Sequence, residues 1–491
     1  MTFCGLDIGT TCCKGVLFSE KGEALASSSY DSDLIRDGQD TYISIQKIRE
    51  NVGKVLSDLS SRYSIDVIAV SSLGESFVIL DKEDRVIFSP MLYTDVRGCK
   101  EAEEYAALCG YEKTLAKTGT VPNGLFSFYK LLWIKKHLPD VYANVSHILL
   151  VQDFVSYILS GERCIDLSLC SRTGMLNVNT LQLDREMLYC LELSPETFSK
   201  PVQAGTLIGN ILPSFAQTYG VNPHCRIAVG AHDQVASALG AGGCQSGVGI
   251  DGMGTVECIT SIFDKPVDDP RMGREGYPCI PFPGGKYCTY LLNYTGGAAL
   301  HWYYDFLSYR KPLSADEFYP YFEKRIDTDK ATDLLFLPYL RGAATPFQNP
   351  YAKGTIVGLT DNTAPGEIYQ AILEGTSYEM KLNLETLEGH GRKINRLICT
   401  GGGSKSDKWL QIKSNILGIP VSRSDNSQGG ACGCAALGAL AVGYCRSLEE
   451  AIGLFSRPGK EFTPHPDATF LNQYEKYKRL YDALTYCFVK P

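Results

Sequence analysis

The chain has 491 residues, more than a single hydrophobic core normally serves, so two large domains with a cleft between them are expected. Hydrophobic residues at 44% and charged residues at 21% exclude a disordered or fibrous chain. The formal charge of -8 comes without any run of Lys and Arg, which argues against a nucleic-acid face or an anionic-membrane contact, and no apolar stretch reaches spanning length.

The opening residues 3–8 are apolar but carry Asp7 and no basic flank, a poor signal peptide. The eighteen cysteines are therefore read as reduced thiols of a cytoplasmic protein. Cys12-Cys13 and Cys432-Gly433-Cys434 lack paired zinc-ligand spacing and are read as small apolar filler.

In chain order, residues 3–8, 12–18 and 23–29 read as three short strands joined by Gly9-Thr10-Thr11 and Glu20-Lys21-Gly22. Residues 43–63 carry apolar side chains at helical spacing and lead into a strand at 67–71. Residues 77–80 and 86–88 read as a hairpin, 95–160 as mainly helical, and 226–230 as a buried strand ending near Asp233. The Gly-rich stretch 240–249 marks a domain boundary, giving domains 1–243 and 244–491. Beyond it, residues 248–250, a turn at 251–254 and a strand at 255–262 repeat the opening arrangement, so the second half reads as a diverged copy of the first. A strand at 334–337, a helix at 365–387, a strand at 397–400 and helices at 405–417, 431–442 and 469–486 follow. The expected fold class is α/β, each domain a mixed sheet flanked by helices.

Several segments could carry chemistry. Gly9 lets backbone approach a phosphate, Thr10 and Thr11 add hydroxyls, Lys14 adds a cation, and Asp7 could hold Mg2+ through water; an ordinary hairpin with a capping Asp explains the same residues. The second turn, Gly254-Thr255, suggests two such turns gripping one polyphosphate across a cleft. Gly247, Gly249 and Gly252 match the dinucleotide fingerprint in spacing, but a strand-like segment follows where a helix is required. No Gly-x-x-x-x-Gly-Lys-Ser/Thr loop and no protein-kinase motif set occurs. Gly401, Gly402 and Gly403 end a strand ahead of a helix, a flat surface for a base or ribose, or simply a tight connection. Asp233 follows a buried strand, where a carboxylate either accepts a hydroxyl proton or caps a helix, and His232 beside it is assigned no catalytic role.

Together these segments resemble the FGGY family of carbohydrate kinases over essentially the whole chain. The most specific match is Gly354-Thr-Ile-Val-Gly358-Leu359, a seven-residue gap, then Glu367-Ile368-Tyr-Gln-Ala371-Ile372-Leu373-Glu374. The N-proximal signature is met by Ser127-Phe-Tyr-Lys130-Leu131-Leu132-Trp133-Ile134, with Leu125 departing from the usual residue. The resemblance implies two duplicated actin-like (ribonuclease H-like) ATPase domains with a cleft between them, and ATP and Mg2+ as cofactors. It puts Asp7, Thr10, Thr11 and Lys14 on the first phosphate motif, Gly254 and Thr255 on the second, Gly401 to Gly403 on the adenosine motif, and Asp233 on the catalytic base. Thr295-Gly296-Gly297, followed by Trp302, falls beside the phosphates. Substrate contacts are implied at Gly74-Glu75-Ser76, at Tyr93-Thr94-Asp95-Val96-Arg97 and at Gln234.

The 74–76 loop departs from both the Gln-Met-His-Gly of xylulose kinases and the Gln-Arg-Glu-Thr of glycerol kinases. Two further departures are Ala343-Ala344 after Gly342, where Glu-Arg is common, and the missing carboxylate around Gly433. The resemblance implies an ATP-dependent kinase acting on a hydroxyl of a small open-chain sugar, first a ketopentose such as xylulose. A polyol, an aldonate such as gluconate or a ketohexose would also suit Glu75, Asp95 and Arg97, and a catalytically silent sugar-binding protein would share the fold. The expected partner is the small substrate alone, with a homodimer a common outcome.

Overall fold

The computed structural model describes residues 1–37, 40–92, 94–266, 269–309, 314–426, 428–465 and 467–489. Tyr93 of the aromatic-x-Asp-x-Arg segment lies outside them. Two large mixed sheets organise the chain. The first has six strands in the order Leu207–Asn210, Arg226–His232, Val67–Ser72, Phe3–Ile8, Cys12–Phe18, Ala24–Asp31. The second has seven, in the order Ile280–Phe282, Lys286–Asn293, Glu257–Phe263, Val248–Met253, Arg396–Thr400, Val421–Ser424, Pro458–Phe462.

The internal duplication expected from the two Gly-Thr turns is visible in how these strands run. Phe3–Ile8 pairs antiparallel with Cys12–Phe18 and parallel with Val67–Ser72, which pairs parallel with Arg226–His232. Val248–Met253 pairs antiparallel with Glu257–Phe263 and parallel with Arg396–Thr400, which pairs parallel with Val421–Ser424. In each sheet one more antiparallel strand flanks either side, and the second sheet adds Ile280–Phe282 at its edge. Parallel central strands need both faces covered. In the first sheet Leu6, Ile8, Ile68 and Val70 pack under the helix Ile45–Ser60, while Phe3, Val67 and Ala69 pack on the opposite face against the helices Asp233–Gly240 and Gly429–Ala441.

The helix Ile45–Ser60 buries the apolar positions that set its spacing, and Ser44 caps it by accepting from the Lys47 N–H at 3.3 Å. The helix Pro365–Gly389 starts on a proline, and the Glu367 carboxylate accepts from the Ala364 N–H at 2.7 Å. One expectation needs correction, and two elements went unread. Residues 95–160 contain the strand His147–Leu150, which pairs with Phe77–Leu80. Asp251 lies within a strand and not in a turn, because Val248–Met253 runs on to Met253 before the chain reverses. A hairpin of Leu34–Asp37 and Asp40–Ile43 went unread because its side chains are too mixed to show a period of two.

The two halves interlock through residues that have no room for side chains. The helix Gly429–Ala441, late in the chain, lies across the first sheet and along Asp233–Gly240. A Cβ at Gly5 would collide with the Ala431 carbonyl, one at Gly240 with the Gly429 carbonyl, and one at Gly433 with the Ala236 carbonyl. Gly433, around which the carboxylate common in the family is missing, therefore admits no side chain. Ala343 and Ala344, the other departure, are equally buried. Gly433→Ala is expected to cost roughly 1–3 kcal/mol or more by overpacking the seam. Gly453→Ala, in a helix with nothing near the added methyl, is expected to be neutral or stabilising. Melting temperatures of the two variants measured side by side test the contrast.

Candidate active site

Asp7 sits next to the end of Phe3–Ile8, where one carboxylate oxygen accepts from the Ser71 hydroxyl at 2.8 Å. Its strand neighbour across the first turn is Lys14. Burial raises the Asp7 pKa, while Ser71 and Lys14 oppose the shift. Gly430, at the start of the helix Gly429–Ala441, leaves the carboxylate room that a Cβ would take. The turn itself is closed by the Gly9 N–H donating to the Cys12 carbonyl at 2.9 Å, with Thr10 half-buried and Thr11 exposed.

Asp233 opens the helix Asp233–Gly240 directly after the buried strand Arg226–His232. A third of its side chain remains accessible. Desolvation, reinforced by the Asp7 and Glu75 carboxylates, pushes its pKa up to about 7. Its Oδ1 accepts from the Gln234 N–H at 2.6 Å and lies 3.1 Å from His232 Nε2. His232 is buried, and burial together with Arg172 drives its pKa well down, so the ring is neutral. Its Nδ1 lies 3.2 Å from the Tyr290 hydroxyl, and the pairing fits Nε2–H donating to Asp233 and Nδ1 accepting from Tyr290. Tyr290 belongs to the second sheet, so this chain of contacts crosses between the halves. Gln234 itself is exposed beside Asp233.

Glu75 adopts a left-handed φ of 60°, a strained setting for a residue other than glycine. Its buried carboxylate holds Arg172, which approaches through Nε at 2.6 Å and also through Nη2. The Glu75 carbonyl is held by the Ser127 hydroxyl at 2.7 Å, and Gly74 lies against both Arg172 and His232. Asp95 binds Arg97 through Nη2 at 2.5 Å, and Arg97 also reaches Asp40 at 2.8 Å and the Tyr42 hydroxyl at 2.7 Å. Lys130, fully buried, donates to the Leu92 carbonyl at 3.0 Å. Burial brings its pKa down to about 8 against the opposing pull of Glu75 and Asp95. Arg172 and Lys130 were not assigned to this site from sequence; the Glu75 pairing spans 97 residues and leaves no local signal.

A cavity of about 1210 Å³ lies in the second half, lined among others by Gly254, Thr255, Gly297, Gly402 and Gly403. Gly254 and Thr255 are clamped by the start of the helix Gly296–Ser308: the Gly297 N–H donates to the Gly254 carbonyl at 2.8 Å and the Ala298 N–H to the Thr255 carbonyl at 3.2 Å. Gly296 packs against Glu257 with no space for a Cβ, and Gly401 turns at a φ of 83° against Met253, so both shape the wall from behind. Thr295 also lines the cavity, and its hydroxyl is buried with no partner among the described residues. Thr10, Thr11 and Lys14 are not among its lining residues.

Beneath the second turn lies a fully buried cluster that sequence reading missed. Lys413, from the helix Asp407–Leu417, is paired with both Asp251 and Glu257, and all three have no exposed side-chain surface. Burial, with Asp251 adding to it, pushes the Glu257 pKa up to about 7 against the pull of Lys413. The cluster ties the two strands flanking Gly254-Thr255 to the helix that follows the Gly401–Gly403 loop. Among the described residues no cluster of three or more His, Cys, Asp or Glu could hold a metal ion alone. Asp7, a carboxylate near Asp233, fits Mg2+ shared with a bound polyphosphate, the usual arrangement for that ion.

The description "FGGY family of carbohydrate kinases, N-terminal domain" matches residues 2–240, and the C-terminal domain of the same family matches residues 253–442. The xylulose kinase of Bacillus subtilis is 25% identical over 487 residues, covering 97% of this chain and 95% of that protein. The gluconokinase of Bacillus licheniformis is 28% identical over 458 residues, covering 91% and 88%. Among solved structures, the ligand-bound xylulose kinase from Lactobacillus acidophilus superposes with a TM-score of 0.89 at 27% identity, covering 99% of each chain.

Lys413→Met would leave Asp251 and Glu257 buried without a cation, an expected loss of about 3–5 kcal/mol. Asp251→Asn keeps Lys413 paired with Glu257 and is expected to cost clearly less. Thermal denaturation of both variants provides the check.

Proposed function

The chain belongs to the FGGY family of carbohydrate kinases, and on that premise we propose that it transfers the terminal phosphoryl group of ATP to a hydroxyl of xylulose, with Asp233 as the base. The observation that carries the reading is the setting of Asp233. Its Oδ1 is occupied by Gln234 and His232, leaving Oδ2 for a substrate hydroxyl, and its pKa of about 7 suits a group that must take a proton near neutrality. Domain limits of 1–243 and 244–491 follow the same reading, the first half holding the sugar and the base, the second the nucleotide.

In the proposed step Asp233 takes the hydroxyl proton as that oxygen attacks the γ-phosphorus, and the bond to the departing ADP oxygen breaks. Backbone N–H groups and hydroxyls of the turns at Thr10-Thr11 and Gly254-Thr255 would face the phosphates, with Lys14 offsetting charge. Mg2+ held near Asp7 would neutralise charge developing on the β- and γ-phosphate oxygens. His232, kept neutral and fixed by Tyr290, would orient Asp233 without competing for the proton. Eighteen free cysteines and the need for ATP favour a cytoplasmic setting.

Charge pairing favours a neutral sugar over an acid one. Arg172 is matched by Glu75, Arg97 by Asp95 and Asp40, and Lys130 lies between Glu75 and Asp95. Three cations thus meet three carboxylates before any ligand enters, and Asp233 adds a fourth acid. A substrate carboxylate would find no surplus cation, which sets a ketopentose ahead of gluconate although relatives act on each.

Asp233→Asn, still folded, is expected to lower xylulose-dependent ADP production by roughly 100- to 10,000-fold; full activity would sink the assignment. In the wild type, kcat/KM for xylulose should fall as pH drops below about 7, where Asp233 takes up its proton. Comparing xylulose with gluconate under the same conditions tests the charge argument, and a preference for gluconate would overturn it.

A further inference from the structure

Glu323 ends the helix Ala315–Glu323 and lines the large cavity together with Gly402, Gly403, Ser406 and Tyr369. Its Oε1 is taken twice, by the Ser406 hydroxyl at 2.7 Å and the Tyr369 hydroxyl at 3.3 Å. No described residue donates to Oε2. Trp409, also lining the cavity, is buried, its indole N–H included. Gly402 has nothing within 4 Å of where its Cβ would be, an open face on which a flat ring can lie.

We propose that Glu323 sets the choice of base in the nucleotide cavity, its free carboxylate oxygen accepting a hydrogen bond from the 6-amino group of adenine. This rests on reading the cavity as the nucleotide site. A carboxylate is an acceptor only, so the group it meets must be a donor. Adenine offers such a donor in the amino group at position 6. Hypoxanthine and guanine place a carbonyl oxygen at position 6, which the carboxylate repels. Guanine could present its N1–H and 2-amino group to a carboxylate, but that recognition uses both oxygens, and Oε1 already serves Ser406 and Tyr369.

The Ser406 contact supplies a competing structural role, because Ser406 caps the helix Asp407–Leu417 by accepting from the backbone N–H of Trp409 at 3.0 Å. Glu323→Gln separates the two. Its amide oxygen can still accept from Ser406 and Tyr369, while an NH2 replaces the free oxygen and turns an acceptor into a donor. Wild type is expected to favour ATP over inosine triphosphate, and the variant to lower that kcat/KM ratio by about 100-fold, roughly tenfold from each nucleotide. A purely structural role would weaken both nucleotides alike and leave the ratio unmoved, which would overturn the proposal. Gly402→Val distinguishes a failure of the underlying reading: its side chain would occupy the base face and raise KM for ATP at least tenfold, whereas an unchanged KM would remove the nucleotide from this cavity altogether.

Discussion

The placement of Asp7 and Asp233 is hung on one steric constraint, the seam where the helices Asp233–Gly240 and Gly429–Ala441 lie against each other and against the first sheet. Gly5, Gly240 and Gly433 each face a carbonyl oxygen at a distance no Cβ could tolerate. One of those helices begins with Asp233, and the other begins beside Asp7. The separation of these two carboxylates is therefore set by backbone against backbone, which is stiffer than any side-chain packing. Side chains of ordinary size would push the helices apart and loosen the position of both groups.

Duplication explains the scaffold and also the asymmetry within it. Gly5-Leu6-Asp7 and Gly249-Ile250-Asp251 occupy the corresponding central strand of each sheet. In the first half the acid has Ser71 as its one hydrogen-bond partner among the described residues. In the second it is sealed beneath the turn by Lys413, with Glu257 as a second counter-charge. The same strand-end acid thus stays available to a ligand in one copy and braces a loop in the other. Removing one charge from such a buried set is costly because the remaining ones cannot reach water.

How much of this was legible in the sequence depends on distance along the chain. The Gly-Thr turns, the strand before Asp233 and the triple glycine are local patterns, and the structure keeps them as turn, strand end and loop. The repeat was readable for the same reason, although Asp251 was set in a turn because its strand runs three residues further than its apolar part. Pairings of distant residues left no trace. Arg172 with Glu75, His232 with Tyr290 and Lys413 with Asp251 join positions 97, 58 and 162 residues apart. Arg172, Tyr290 and Lys413 carry no local pattern in the sequence that marks them.

The contact from Tyr290 to His232 has a bearing on economy. A kinase that activates a hydroxyl must avoid activating water in its place, since an idle cycle would drain ATP for nothing. Here the imidazole next to Asp233 is steadied by a hydroxyl from the opposite half of the molecule. Under the proposed mechanism the aim of the base, and with it the choice of a hydroxyl over water, depends on a residue from each half. Fidelity against futile hydrolysis would then reside in one phenol–imidazole contact rather than in a separate gate.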